Sequence, residues 1–315
     1  MRTVLALALL LAAPPLGAQA APRPAPRVDP SPADRAIAAG RLAEAESALY
    51  AATRGAPRDP GARGALGAFL AARGRLKVGA VLLEEARQFG GDARVIDERL
   101  RHIYAWLGEW HQAPTEPGAP RFGRPERLRV QWLATHPPTR QGPDSSVVAL
   151  EPNELAGLGR VTIGIGNTVV RADIDPNVEG LVLAPTLELL DELQRFGTRG
   201  DTTLAVAYIV TLGEQSLSNV PVTLEPEARS RVGLDVLAPL VPTFDLAARR
   251  LTLHASAKEP ARGEALAILL GFPGVRLVAR PGQSPVALES AAGRAALRGA
   301  RWTFDLRRGA VVVER

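Results

Sequence analysis

Apolar residues recur at helical intervals from about Ser31 to Trp110, and beyond Ser145 they switch to short alternating runs, so the chain changes period part-way along. In the first stretch Gly40-Arg41-Leu42, Gly74-Arg75-Leu76 and Gly108-Glu109-Trp110 stand 34 residues apart. Measured from each glycine, small and apolar side chains return in register: Ala45, Leu49 and Ala52 with Pro57 as a stop, then Leu66, Gly67, Leu70, Leu83 and Ala86, then Leu100 and Tyr104. A fixed period of this length predicts stacked helix pairs, each burying the apolar face of the next. In the second stretch strands are expected at 160–165, 168–174, 204–212 and 220–224. Gly166-Asn167 supplies a hairpin turn between the first two. No helix follows it, so the Gly-x-Gly there is not a dinucleotide loop.

Residues 113–143 hold seven prolines, at 114, 117, 120, 125, 137, 138 and 143, and read as the connection between the two halves. Within it, 127–134 carries Leu128, Val130 and Trp132 alternating with polar residues, which reads as an isolated strand or a docking segment, with Trp132 a packing residue. At the start of the chain Arg2 precedes an apolar run, 4–13, followed by Pro14, Pro15 and Ala18-Gln19-Ala20, the layout of a cleavable export signal. That run falls short of the ~20 apolar residues a bilayer core needs. No cysteine follows it to carry a lipid. The expected mature protein starts at Ala21, makes no stable membrane insertion, and is periplasmic or secreted.

Composition removes several chemistries. The 315 residues include no cysteine, which excludes disulfides, thiolate-bound metals and a cysteine nucleophile. The formal charge of +5 comes from arginines scattered through every segment, beside only Lys77 and Lys258 and 4% aromatic residues, so no nucleic-acid partner is expected. His102, His111, His136 and His254 show no metal-ligand spacing and read as solvated surface residues. There is no phosphate-binding loop, and Gly282-Gln283-Ser284-Pro285 lacks the second glycine of a nucleophile elbow. No cofactor and no metal are expected.

Two resemblances organise what is left. The 34-residue period resembles tetratricopeptide repeats over some eighty residues, with Gly79 where Ala45 predicts alanine and Gly91 in place of the stop proline. That likeness implies a surface for peptides or partner proteins, or a packing platform for the rest of the chain. Further on, the run Asp175-Pro176-Asn177-Val178-Glu179-Gly180-Leu181-Val182-Leu183 puts an acid and a tight loop after an apolar strand. Asn219-Val220-Pro221-Val222, then Val232-Gly233-Leu234-Asp235-Val236-Leu237, then Phe244-Asp245-Leu246 and Arg249, Arg250 and Leu251-Thr252-Leu253 follow. This order, from Gly159 to His254, resembles bacterial retropepsin-like aspartyl proteases, in which an Asp-Thr-Gly-Ala loop is followed downstream by an apolar-apolar-Gly motif; here Gly233 lies 58 residues after Asp175.

The resemblance implies Asp175 as the catalytic acid. Two such acids must share one proton about 3 Å apart, so with no second acid loop an active enzyme implies a homodimer. Pro176 stands where the family has threonine, Asn177 where it has glycine, and Arg231 where an apolar residue precedes Val232-Gly233. Glu179 reads as a solvated loop charge. The tail holds an echo, Phe304-Asp305-Leu306, of the Phe244-Asp245-Leu246 hairpin, and reads as structural, either a truncated second lobe or an added hairpin.

The expected architecture is thus multidomain α+β, with N-terminal helical hairpins of tetratricopeptide type before a mainly-β retropepsin-like barrel. Its parts are a signal peptide at 1–20, a linker at 21–30, a helical domain at 31–112, a proline-rich linker at 113–148, the β domain at 149–255 and a β-rich extension at 256–315. Two functions follow. The first is an exported module that binds a peptide or protein with weakened or lost catalysis. The second is a homodimeric aspartic endopeptidase using Asp175 from each chain.

Overall fold

The computed structural model describes residues 31–115, 123–151, 158–255, 263–271, 274–278, 282–297, 300–306 and 309–314. The expected signal peptide at 1–20 and linker at 21–30 lie outside these. Helix α1 (Pro32–Ala38) opens on Ser31, whose hydroxyl accepts from Asp34 N while the Asp34 carboxylate accepts from Ser31 N, a reciprocal cap. Four more helices follow: α2 (Leu42–Gly55), α3 (Pro60–Ala72), α4 (Leu76–Gln88) and α5 (Ala93–Leu107). Asp59 and Asp92 cap α3 and α5 through their side chains.

The periodic glycines are the turns between helices. Gly40, Gly74 and Gly108 have φ of +68°, +78° and +69°, and after each one the next backbone N–H reaches back to a carbonyl five residues earlier: Arg41 to Ala36, Arg75 to Leu70, Glu109 to Tyr104. Glycine takes this left-handed conformation without strain, so one turn is built three times at a 34-residue spacing. Gly79 departs from the repeat because a Cβ there would lie 2.7 Å from both Gly67 O and the Ala71 Cβ, where α3 and α4 press together.

Next comes α6 (Arg124–Thr135), so of the two readings of 127–134, isolated strand or docking segment, the strand is overturned. Pro125 lies in its first turn and the Glu126 carboxylate accepts from Gly123 N at 3.0 Å, while Glu126, Val130 and Leu133 are buried at helical spacing. The β elements are β1 (Thr139–Gln141), β2 (Ser145–Ala149), β3 (Arg160–Ile165), β4 (Thr168–Ile174) and β5 (Leu181–Leu183), the short helix α7 (Leu187–Leu190), then β6 (Leu193–Arg199), β7 (Thr202–Leu212), β8 (Gln215–Leu224) and β9 (Arg231–Val232). After the one-turn helix α8 (Leu234–Leu237) come β10 (Pro242–Asp245), β11 (Arg250–His254), β12 (Glu264–Leu270), β13 (Val275–Val278), β14 (Val286–Ala287), helix α9 (Ala291–Leu297), β15 (Arg301–Asp305) and β16 (Ala310–Glu314).

The first eight-stranded sheet has the order β1-β8-β5-β9-β4-β3-β7-β6, and a further β7–β8 pairing closes six of these strands into a barrel. β3 and β4 pair antiparallel from Arg160↔Asp173 to Ile165↔Thr168, with Gly166-Asn167 at the turn. The second sheet has the order β14-β13-β12-β16-β15-β10-β11-β2. The described residues from Ser31 onward pack as one unit. One buried cluster joins Leu83, Ile103 and Leu133 of the helices to Val161, Ile163 and Val222 of the barrel and to Phe244, Trp302 and Phe304 of the second sheet. A second cluster sets Ala36, Leu66 and Leu70 against Leu269 and Val278. Each fully buried large side chain of this kind is worth about 1.5–3 kcal/mol relative to exposure.

Candidate functional site

Asp175 follows β4, an apolar strand whose last two residues, Asp173 and Ile174, run parallel to Arg231 and Val232 of β9. Its backbone N–H donates to Val232 O at 3.0 Å, which fixes the loop against β9. Its carboxylate is largely enclosed, with the side chain 21% exposed. Oδ1 accepts from the Asn177 backbone N–H at 2.9 Å and from Asn177 Nδ2 at 3.1 Å, closing an Asx turn within the loop. Oδ2 lies 3.6 Å from Arg231 Nη1, whose other terminal nitrogen is 3.0 Å from Glu225 Oε2. Arg231, out of place in an apolar motif, is thus the cation beside the acid. Pro176 is buried and offers no N–H donor. On the far side of the loop a Cβ on Gly274 would lie 3.2 Å from Asn177 Oδ1, so the turn between β12 and β13 abuts it.

A second group of charges lies four residues on. Glu179 accepts from, or shares a proton with, His102 Nδ1 of α5, 77 residues away in sequence. His102 is therefore not a solvated histidine, nor Glu179 a solvated loop charge; both expectations are corrected by the packing of α5 against this loop. Burial works against the imidazolium, but the hydrogen bond and charge of Glu179, with Glu98 adding to them, raise the pKa of His102 above its ordinary value.

Asp235, at the start of α8, accepts from Gly180 N through both carboxylate oxygens, at 3.1 and 2.8 Å. The residue keeps some exposed surface, yet its carboxyl is withdrawn from water. Burial first, and then the charge of Glu179, push its pKa up to about 7 against the backbone hydrogen bonds that favour the anion. Arg129 of α6 completes the group. Its Nη1 donates to Val222 O at 3.3 Å, its Nε has no hydrogen-bond partner among the described residues, and burial lowers its pKa against the pull of Glu179, Glu126 and Asp235.

Two cavities flank these residues. One of about 440 Å³ is lined by Ala68, Ala71, Leu83, Arg99, His102 and Gly271, so it lies between the helix pairs and the turn that abuts Asn177. The other, of about 190 Å³, has Trp106, Trp110, Pro221 and Asp235 among its walls. Among the described residues no group of three or more histidine, aspartate or glutamate side chains could hold a metal ion, and no helix is long and apolar enough to cross a membrane.

Of the residues singled out in the sequence, the structure brings Asp175 together with Asn177 and Arg231, and Glu179 with His102. Asp235 lies in the Val232–Leu237 motif with nothing local to mark a role for it, and Arg129 carries no local signal at all. No local signal joins α5 or α6 to a loop more than forty residues downstream.

No protein-family model matches the chain, and no curated protein matches it. Among solved structures, a retropepsin-like aspartic protease from Rickettsia conorii is similar at 14% identity over 37% of this chain and 93% of that one, with a TM-score of 0.28. A superposition that loose assigns no fold, and the barrel described above rests on this chain's own strand pairings.

Proposed function

We propose that this chain is an exported pseudoprotease of retropepsin-like design, with a tetratricopeptide-like helical platform, that holds a peptide or protein partner without cutting it. The observation that carries this reading is the occupation of the Asp175 carboxylate. Acid proteolysis needs a second carboxyl close enough to share its proton, so that one acid activates water while the other protonates the substrate carbonyl. Here one oxygen of Asp175 is satisfied by Asn177 and the other faces the Arg231 guanidinium. The 440 Å³ cavity that reaches His102, apolar on the Ala68, Ala71 and Leu83 side and carrying both Glu98 and Arg99, suits a peptide side chain. Support for export comes from the charged, apolar and small-residue order of the first twenty residues.

The test is cleavage of an unfolded protein substrate by the mature protein from acidic to neutral pH, beside Asp175→Asn of equal fold and assembly state. The expected result is no cleavage by either. Cleavage that disappears in Asp175→Asn would overturn the binding reading in favour of an aspartic endopeptidase.

A further inference from the structure

The echo in the tail is longer than a hairpin and is spatially exact in register. At a constant offset of 60 residues Gly233 corresponds to Gly293, Leu237 to Leu297, Thr243 to Thr303, Phe244 to Phe304, Asp245 to Asp305 and Leu246 to Leu306. Helices α8 and α9 end at the equivalent residues Leu237 and Leu297, both fully buried, and each leads into a hairpin, β10–β11 in one case and β15–β16 in the other.

The two hairpins meet through their first strands, antiparallel, with Thr243 opposite Thr303. The two threonine hydroxyls are buried and 2.8 Å apart. When equivalent residues of two antiparallel strands face each other, a local two-fold axis passes between them. The sheet repeats the symmetry outward, since β2 flanks β11 on one side and β12 flanks β16 on the other. An interface in which one surface meets its own equivalent across a two-fold is the isologous contact of a symmetric dimer.

From this we infer that α9 and the β15–β16 hairpin are an internal counterpart of α8 and the β10–β11 hairpin, and that β15 occupies the β10 edge to which a second copy would otherwise add. The surface at issue is that edge, and its partner is residues 301–305 of the same chain. The consequence for the site is direct. The turn that abuts the Asp175 loop joins β12 and β13 of the same sheet, and its sequence, Gly271-Phe272-Pro273-Gly274, holds no acid. A second Asp175 has no approach across this axis while the tail is in place. That last step rests on the reading of Asp175 given above, whereas the self-pairing stands on the strand register alone.

The absence of cysteine makes a clean test possible in the full mature chain. In Thr243→Cys/Thr303→Cys the two sulfurs replace hydroxyls already in contact, a cross-strand geometry suited to a disulfide. Mild oxidation is expected to give an intrachain bond, with the protein monomeric by light scattering. Thr243→Cys alone is the counter-test, because in a dimer formed through β10 residue 243 would meet its own copy. It is expected to give no covalent dimer. Asp245→Cys/Arg301→Cys, at a register-matched pair nearer the surface, serves if the buried pair fails to fold. Interchain disulfide from Thr243→Cys alone, or folded double variants that form no intrachain bond, would overturn the inference. Proteolysis by a self-paired monomer would overturn only the binding reading.

Discussion

At the scale of single residues the unusual chemistry is not at Asp175 but at Glu179, His102 and Asp235. Both shifts there act in one direction. His102 binds its proton more tightly in the folded chain, so its contribution is fully present below its ordinary pKa and is lost as pH rises through the raised value. Asp235 stays protonated up to about 7 in the folded chain while the unfolded carboxyl ionises near 3.8, so folding loses stability across that interval as well. Glu98 and Arg101 from α5, Arg129 from α6 and Glu179 from the loop are the charges that face this pair. The melting temperature is therefore expected to fall by a few degrees between pH 5 and pH 8, and Asp235→Asn is expected to flatten that dependence. Calorimetry across the range checks it; a melting temperature that rises toward pH 8 would contradict the assignment. Sequence could place Asp175 because a strand and a loop announce it locally. It could not place His102, whose partner is brought near only by the docking of a helix.

Among the elements, α6 shows where local pattern misleads. Leu128, Val130 and Trp132 alternate as a strand would, yet Gly123, Pro125 and Glu126 start a helix and His136-Pro137-Pro138 follow its end. The buried set is Glu126, Val130 and Leu133, which alternation does not select. By contrast β3 and β4 were legible to the residue, since alternation and a glycine turn agree, whereas the 34-residue spacing marked Gly40, Gly74 and Gly108 as a period and the structure gives them their left-handed turns. What α6 does is hold the β6–β7 hairpin. Trp132 packs against Phe196 of β6 and Tyr208 of β7 with ring centroids 6.0 and 6.3 Å apart, and Glu126 Oε1 lies 2.7 Å from Arg199 Nη1 near the hairpin tip. Trp132→Ala is expected to cost about 1–3 kcal/mol, less than a fully buried tryptophan. Amide exchange should accelerate across 193–212 and not in β15–β16. Uniform acceleration over the whole chain would show that α6 is no local clamp.

Across the whole molecule the helices are not a separable platform. The glycine turns that end the helices are also docking points: a Cβ on Gly74 would lie 2.3 Å from Leu306 O, and one on Gly309 would lie 2.0 Å from Arg73 O. Arg73 Nη1 donates to Ile268 O at 2.9 Å across the same joint. Helical ellipticity and tryptophan fluorescence should therefore report one coincident thermal transition, and Gly74→Val should lower both midpoints together. Two separated transitions would mean that the helices fold on their own.

The seam between β10 and β15 has one more consequence. In a homodimer every substitution appears on both sides of the axis, so an interface can improve only by changes that suit both copies at once. Two stretches of one polypeptide carry no such constraint. Phe244 stacks on Trp302 with ring centroids 4.0 Å apart, at a position whose equivalent on the other side is Pro242. Within one chain the aromatic stack stands on one side of the axis alone, whereas in a homodimer the same pair of residues would have to stack on both sides or on neither.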